Sequence, residues 1–304
     1  MYPFSWQVVC QVLLQVRCYA LMVDSQNKGF FDMEIQKVKQ MSKKMRKKIL
    51  DVTYSCNMSV HIGGALSMVD ILATLYSSVL KYDKKKPTWA DRDRFILSKG
   101  HGALGYYSAL LEAGIISEEI YSTFQTNESD LTAHPVMNIP LGIESSNGSL
   151  GHGLSLGIGI ALAGKKKKKN YKTYVFLGNG ECNEGSVWEA IMSASSLKLE
   201  NLIAIVDDNG FQNEIEPSKT ILDSSDFCDK WESFGWNVCS VDGHNISEIY
   251  NAIAECNVEN KPKVVIAKTI KGKGVSFMEN NNEWHHNRLT EVNYNKALQE
   301  LGEI

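Results

Sequence analysis

The spacing of apolar runs predicts an α/β fold, a doubly wound and mostly parallel sheet flanked by helices. Three observations predict it. First, 171–177 (YKTYVFL) and 201–207 (NLIAIVD) are apolar runs of strand length. Between them lie a glycine-bearing turn, 178–185 (GNGECNEG), and a helix-period segment, 186–199 (SVWEAIMSASSLKL), so together they make a βαβ unit with a right-handed crossover. Second, 236–241 and 263–269 read as two more strands separated by a helix over 246–256. Third, the short apolar run 95–97 is followed at once by SKGHG and the helical ALGYYSALLEAG, again a strand entering a helix.

The remaining elements follow in chain order. The charged amphipathic stretch 33–52 predicts a helix and 64–80 (GALSMVDILATLYSSVL) a second, continuous one. His61 falls in the loop between them, His101 at the strand-to-helix junction, and His134 in a polar loop before Pro135. GIESSNGSLGHGLSLGIGIALAG then sets a glycine-rich turn before a helix whose Gly157, Gly159, Ala161 and Ala163 would permit close backbone contact. Residues 33–304 read as a single domain without linker or repeat. Residues 1–32 are set apart as an extension, with Met33 the expected start of the working protein. Their apolar content lacks a basic leader and is broken by Gln7, Gln11, Gln15 and Arg17, which argues against a membrane span.

Composition narrows the function. A net charge of −3 supplies no field for nucleic acid, and the basic stretches 43–48 and 165–169 read as solvated surface. Cys10, Cys18, Cys56, Cys182, Cys228, Cys239 and Cys256 have neither CxxC pairs nor zinc spacing, so a reducing cytoplasm is expected, without disulfides or a structural metal.

The strand-to-helix turn GNGECNEG offers free backbone N–H groups and a helix N-terminus, a natural diphosphate site in which Gly178 and Gly180 leave room for the ligand. It fits neither the dinucleotide pattern nor a Walker loop, because Asn183 and Glu184 stand where a third glycine belongs and no lysine follows. GNGECNEG with DDNG at 207–210, Asn179 and Asn209 being 30 residues apart, resembles the thiamine-diphosphate signature of transketolases. The resemblance extends over 45–288 and is greatest to the amino-terminal chain of the two-polypeptide type. It implies the thiamine-diphosphate-binding fold, with a divalent ion, Mg2+ (or Ca2+ or Mn2+), held by Asn179, Asn209 and the carbonyl of Phe211. The family reads GDG where this chain has GNG, so Asn179 replaces a carboxylate. The alternative for either asparagine is that it only shapes its turn.

The same resemblance assigns the histidines. SVHIGGALSMVDIL places His61 on the donor sugar, DRDRFILSKGHG places His101 near diphosphate and substrate, and LTAHP places His134 at the hydroxyketo end of the donor. Gly148 and Leu150, in GSLGHG, fall in the turn over the cofactor, and Glu181 joins Gly178 and Gly180 as a cofactor-binding position. KTIKGKGVSFMENNNEWHH brings His285 to the diphosphate, a better match than His286. Glu184 resembles a family glutamate at the subunit contact. His152 stands where the single-chain members commonly carry glutamine, and His152, His244 and His286 read as ordinary polar residues. Independently of the match, sugar hydroxyls and a carbonyl that exchange protons near neutral pH suit imidazole.

The resemblance implies a transketolase subunit that transfers a two-carbon ketol unit between sugar phosphates, as in the pentose phosphate pathway. The pyrimidine-binding domain, whose glutamate activates the cofactor ring, is absent from the matched region and is expected on a second, carboxyl-terminal subunit in an α2β2 assembly. The alternatives are a relative specialised for an unusual sugar, a 2-oxoacid dehydrogenase α-type subunit, and an inactive cofactor-binding or regulatory subunit.

Overall fold

The computed structural model describes residues 25–212 and 226–302, with side chains from residue 32 onward. Cys10, Cys18 and most of the expected extension 1–32 lie outside the described residues. Helix α1 (Ser25–Cys56) crosses the expected boundary at Met33. Its buried Val38, Met41, Met45, Ile49 and Val52 recur at three- and four-residue steps, the stripe of a helix laid on a core. Each such side chain taken from water contributes about 1.5–3 kcal/mol. The basic stretch 43–48 is therefore only partly solvated. Met45 is in the core, and Arg46 forms a bidentate pair with Asp70 at 3.0 and 2.7 Å.

The helix expected over 64–80 is broken into α2 (Ile62–Leu66), α3 (Val69–Thr74) and a π-helical turn, Leu75–Val79. The carbonyl of Gly64 accepts from Lys99 Nζ at 2.9 Å and from Ser67 Oγ at 3.1 Å. Side-chain donors thus compete for the acceptor that a continuous helix would use. Strand β1 (Arg94–Leu97) leads into α4 (Ala103–Glu112), followed by the short α5 (Glu118–Ser122) and by α6 (Gly153–Lys166). Then come β2 (Thr173–Gly178), α7 (Gly185–Ser196), β3 (Leu202–Asp208), α8 (Phe227–Ser233), β4 (Asn237–Asp242), α9 (Ile246–Ala254), β5 (Lys263–Lys268) and α10 (Glu291–Glu300).

All strand pairs are parallel, in the order β1-β2-β3-β5-β4. Alternate residues of the strands feed two cores, because successive side chains point to opposite faces. Phe95, Leu97, Tyr174, Phe176, Ile203 and Ile205 pack with α1, α3, α4 and α9. Ile96, Val175, Leu177, Ala204 and Val206 pack with α6, α7 and α8. Burial on both faces explains why these strands read as continuous apolar runs. Neither of the two glycines expected to bring backbones together on α6 does so: Gly157 makes room for a side chain of the sheet, since a Cβ there would lie 2.3 Å from Val175 Cγ2. Gly159 faces open space.

Candidate active site

The loops leaving the carboxyl ends of β1, β2, β3 and β5 converge, as ligand loops do in open parallel sheets. Two buried carboxylates lock them together. Glu181 accepts from Ser98 Oγ at 2.5 Å, Gly151 N–H at 2.9 Å and Gly178 N–H at 3.2 Å. It thereby joins the loop after β1, the turn before α6 and the end of β2. The sequence motif places Glu181 on the cofactor, whereas its carboxylate is engaged by three protein donors and braces the loops. Asp207, at the end of β3, accepts from Ser67 Oγ at 2.6 Å, from Lys99 Nζ at 2.5 Å and from Thr269 Oγ1.

Within this frame five imidazoles meet. The ring centroid of His61 lies 5.5 Å from that of His101, 5.9 Å from His134, 5.2 Å from His285 and 4.5 Å from His286. His101 and His285 are 5.7 Å apart. An antiparallel bridge between Val60 and Asn287 holds the first and last of these loops in register. His286, an ordinary polar residue by its sequence context, belongs to the cluster, while His152 is exposed just ahead of α6. Gly148 lies beside His134, 3.7 Å from where its Cβ would be. Leu150 is half-buried in the following turn.

Two lysines that sequence reasoning missed complete the site. Lys99 and Lys271 are each only 2% exposed. Lys271 Nζ donates to Asn282 Oδ1 at 2.5 Å, lies 3.1 Å from His285 Nδ1, and sits 4.9 Å from the Phe211 ring centroid. The available signal was their place, two residues before His101 and in KTIKGKG at the end of a strand, where an otherwise apolar run turns basic. The cations act on the imidazoles. Burial above all, then His286, His134, Lys99 and Lys271, lowers the His61 pKa to about 4. Burial first, then Lys271 and His61, lowers His285 to about 3. Burial and then Lys99 hold His101 well below the ordinary histidine range.

A pH dependence follows. These groups titrate near 6.5 in the unfolded chain and lower when folded, so the unfolded state binds more protons as pH falls below that value. Their contribution is intact above the unfolded pKa and is lost as pH falls toward the folded values near 4 and 3. The urea midpoint should therefore decline as pH is lowered through this window, and inorganic pyrophosphate should lessen the decline by offsetting the lysine charges. Equal midpoints across the window would contradict the lowering of these pKa values by burial and the neighbouring charges.

The donor set suits a polyanion, since lysine amines and imidazoles surround the cleft and Asp207 is engaged by Ser67, Lys99 and Thr269. A metal could be held only with help. Among the described residues no three His, Cys, Asp or Glu groups converge on a metal-binding geometry. The available ligands are the amides of Asn179 and Asn209 and the carbonyl of Phe211, with anion oxygens needed to complete a hard-cation shell. Asn179 is buried and its side chain does not cap the 3₁₀ turn Gly180–Asn183, which removes one structural reason for it. Asn209 does shape its turn, Oδ1 accepting from Phe211 N–H at 3.0 Å. Gly178 and Gly180 border the same space, where Cβ atoms would meet Lys99 at 3.5 Å and Gln212 at 3.3 Å.

The chain is similar to known proteins over most of its length. Residues 37–303 match the family described as transketolase, thiamine diphosphate binding domain. An apulose-4-phosphate transketolase subunit of Phocaeicola vulgatus is 39% identical over 272 residues, covering 89% of this chain and 96% of that protein. The 6-deoxy-6-sulfo-D-fructose transketolase subunit SqwG of a Clostridium species is 39% identical over 247 residues, 79% of this chain and 88% of that one. The crystal structure of Campylobacter jejuni transketolase superposes with a TM-score of 0.81 at 31% identity, covering 88% of this chain and 43% of that one. The chain thus spans nearly the whole of the Phocaeicola relative and under half of the solved transketolase. With the parallel sheet, the converging loops and the matched segment in agreement, this chain belongs to the transketolase family and carries its thiamine diphosphate binding domain.

Proposed function

We propose that this chain is the diphosphate-binding subunit of a two-chain transketolase that moves a two-carbon ketol unit from a ketose phosphate to an aldose phosphate. The observation that carries the reading is the cluster of five imidazoles around His61 beside the buried Lys99 and Lys271. Thiamine diphosphate, when bound, supplies the carbon nucleophile and electron sink for carbon–carbon cleavage. Lys99, Lys271, His101 and His285 offer donors for its diphosphate, with Gly148, Leu150, Gly178 and Gly180 forming the surrounding turns. Asn179, Asn209 and the Phe211 carbonyl hold Mg2+, or Ca2+ or Mn2+ in its place. His61, kept neutral at physiological pH by burial and neighbouring charge, can donate from one ring nitrogen and accept at the other, as reading sugar hydroxyls requires. His134 forms the outer part of the same wall. The partner subunit, in an α2β2 complex, supplies the pyrimidine-binding domain and the basic residues for the sugar phosphate. A cytoplasmic setting fits the free thiols of Cys56, Cys182, Cys228, Cys239 and Cys256.

The two relatives named for apulose 4-phosphate and 6-deoxy-6-sulfo-D-fructose favour a second reading, the same chemistry on a specialised sugar. The reconstituted complex, given thiamine diphosphate, Mg2+ and a panel of ketose donors, should release an aldose two carbons shorter than its substrate, detectable by mass spectrometry. Cofactor binding without release from any donor would reassign the chain to an inactive, cofactor-holding role.

Asn179 gives a separate test. A neutral amide leaves the ion one negative charge short of a carboxylate ligand, so Asn179→Asp should tighten Mg2+ binding in the presence of thiamine diphosphate by about tenfold, measured by calorimetry. Unchanged or weaker affinity would mean that Asn179 only shapes its turn.

A further inference from the structure

His244 follows β4, on a loop separate from the five clustered imidazoles, and its ring is held at both nitrogens. The N–H of Ile270 donates to Nε2 at 2.8 Å. Nε2 must therefore be unprotonated, so the ring proton sits on Nδ1, which lies 2.8 Å from Asp70 Oδ2 and donates to it. Asp70 is buried on α3, and both of its oxygens also accept from Arg46. Burial opposes ionisation of Asp70, but His244 and Arg46 outweigh it and keep the carboxyl well below its usual range.

The residue after Ile270 is Lys271. Its turn is pinned elsewhere by backbone contacts, Gly272 N–H to Gly63 O at 2.9 Å and Asn280 N–H to Lys271 O at 2.9 Å. Arg46 Nε also donates to Lys273 O at 3.1 Å. Arg46 and His244 thus reach the turn from either side of one carboxylate, and His244 alone of the pair holds the amide next to Lys271. We infer that His244 is a positioning residue which, oriented by Asp70, fixes the Ile270 amide and so sets the Lys271 ammonium against His285. The consequence for cofactor binding rests on the proposed function, whereas the placement of Lys271 does not. A network serving stability alone would satisfy the same buried groups without making the position of Lys271 depend on the Ile270 bond.

Two amides separate the cases. His244→Asn keeps a donor near the Nδ1 position for Asp70 and loses the acceptor for Ile270. His244→Gln keeps an acceptor near the Nε2 position and loses the donor for Asp70. In the full chain, histidine NMR should show the His285 titration rising by about one pH unit or more in the Asn variant, as the ammonium moves away, and staying near wild type in the Gln variant. Binding of inorganic pyrophosphate, followed by calorimetry, should weaken about tenfold in the Asn variant only. An unchanged His285 titration in both variants, with any loss confined to thermal stability, would overturn the positioning role. A shifted titration with unchanged pyrophosphate affinity would uphold it and instead remove Lys271 from the diphosphate site.

Discussion

Supplied with thiamine diphosphate, Mg2+ and sugar phosphates, the chain alone is expected to transfer two-carbon units at least on the order of 10³ more slowly than its complex with a carboxyl-terminal partner. The reason is preorganisation. A group that ionises a bound ring must be fixed in a dry site before the reaction, and a solvated carboxylate that drifts near gives little of that effect. The cleft presents imidazoles and amines. Val136 and Met137, two and three residues after His134 in the chain, are 55% and 60% exposed, and Met58, three residues before His61, is 50% exposed. Leu156 on α6 and Met192 on α7 are 45% and 47% exposed. Large exposed apolar side chains mark association sites where they join into one patch. Purifying the chain, its partner and their mixture, then measuring ketol transfer and mass by light scattering, tests the division of labour. Robust activity from the chain alone at low concentration would refute it. An α2β2 mass with activity only in the mixture is the expected result.

His101→Ala in the assembled enzyme should lower kcat/KM by on the order of 10² or more, equivalent to about 2.7 kcal/mol of transition-state stabilisation. Folding should be much less affected. His101 sits in the 3₁₀ turn Gly100–Gly102, where the neighbouring Lys99 and Ser98 carry the hydrogen bonds that anchor the loop to Asp207 and Glu181. Its ring faces His61 and His285. Steady-state kinetics set beside urea unfolding distinguishes the roles. A fall in stability matching the fall in rate would make His101 a structural residue, and a near-normal rate would remove it from the reaction.

The fold was legible because the strands β1, β2, β3 and β5 are buried on both faces. Segments such as 174–177 and 202–206 are continuously apolar because helices cover each side, and the turns between them carry glycine where the chain reverses. The tail was less legible. Residues 291–300 form a helix capped by Thr290, whose side chain accepts from Asn293 N–H, but few of its side chains are apolar. That helix lies partly on α1, and Tyr294 stacks on Tyr54 with centroids 4.4 Å apart. Its stability comes from a contact 240 positions away in the chain, which no local pattern encodes.

By itself the sequence determined the parallel α/β architecture, the turn at 178–185 and the loops that carry His61, His101, His134 and His285, because periodicity and glycine placement are local properties of the chain. Only the tertiary structure decided which groups meet. It drew His286 into the cluster, placed Lys99 and Lys271 under the imidazoles, turned Glu181 into a brace and split the 64–80 helix by lending its Gly64 carbonyl to a lysine from another loop. The physical reason is the same in each case. A charge or a hydrogen-bond acceptor takes its role from what is buried beside it, and burial brings together groups that are scores of residues apart in the chain.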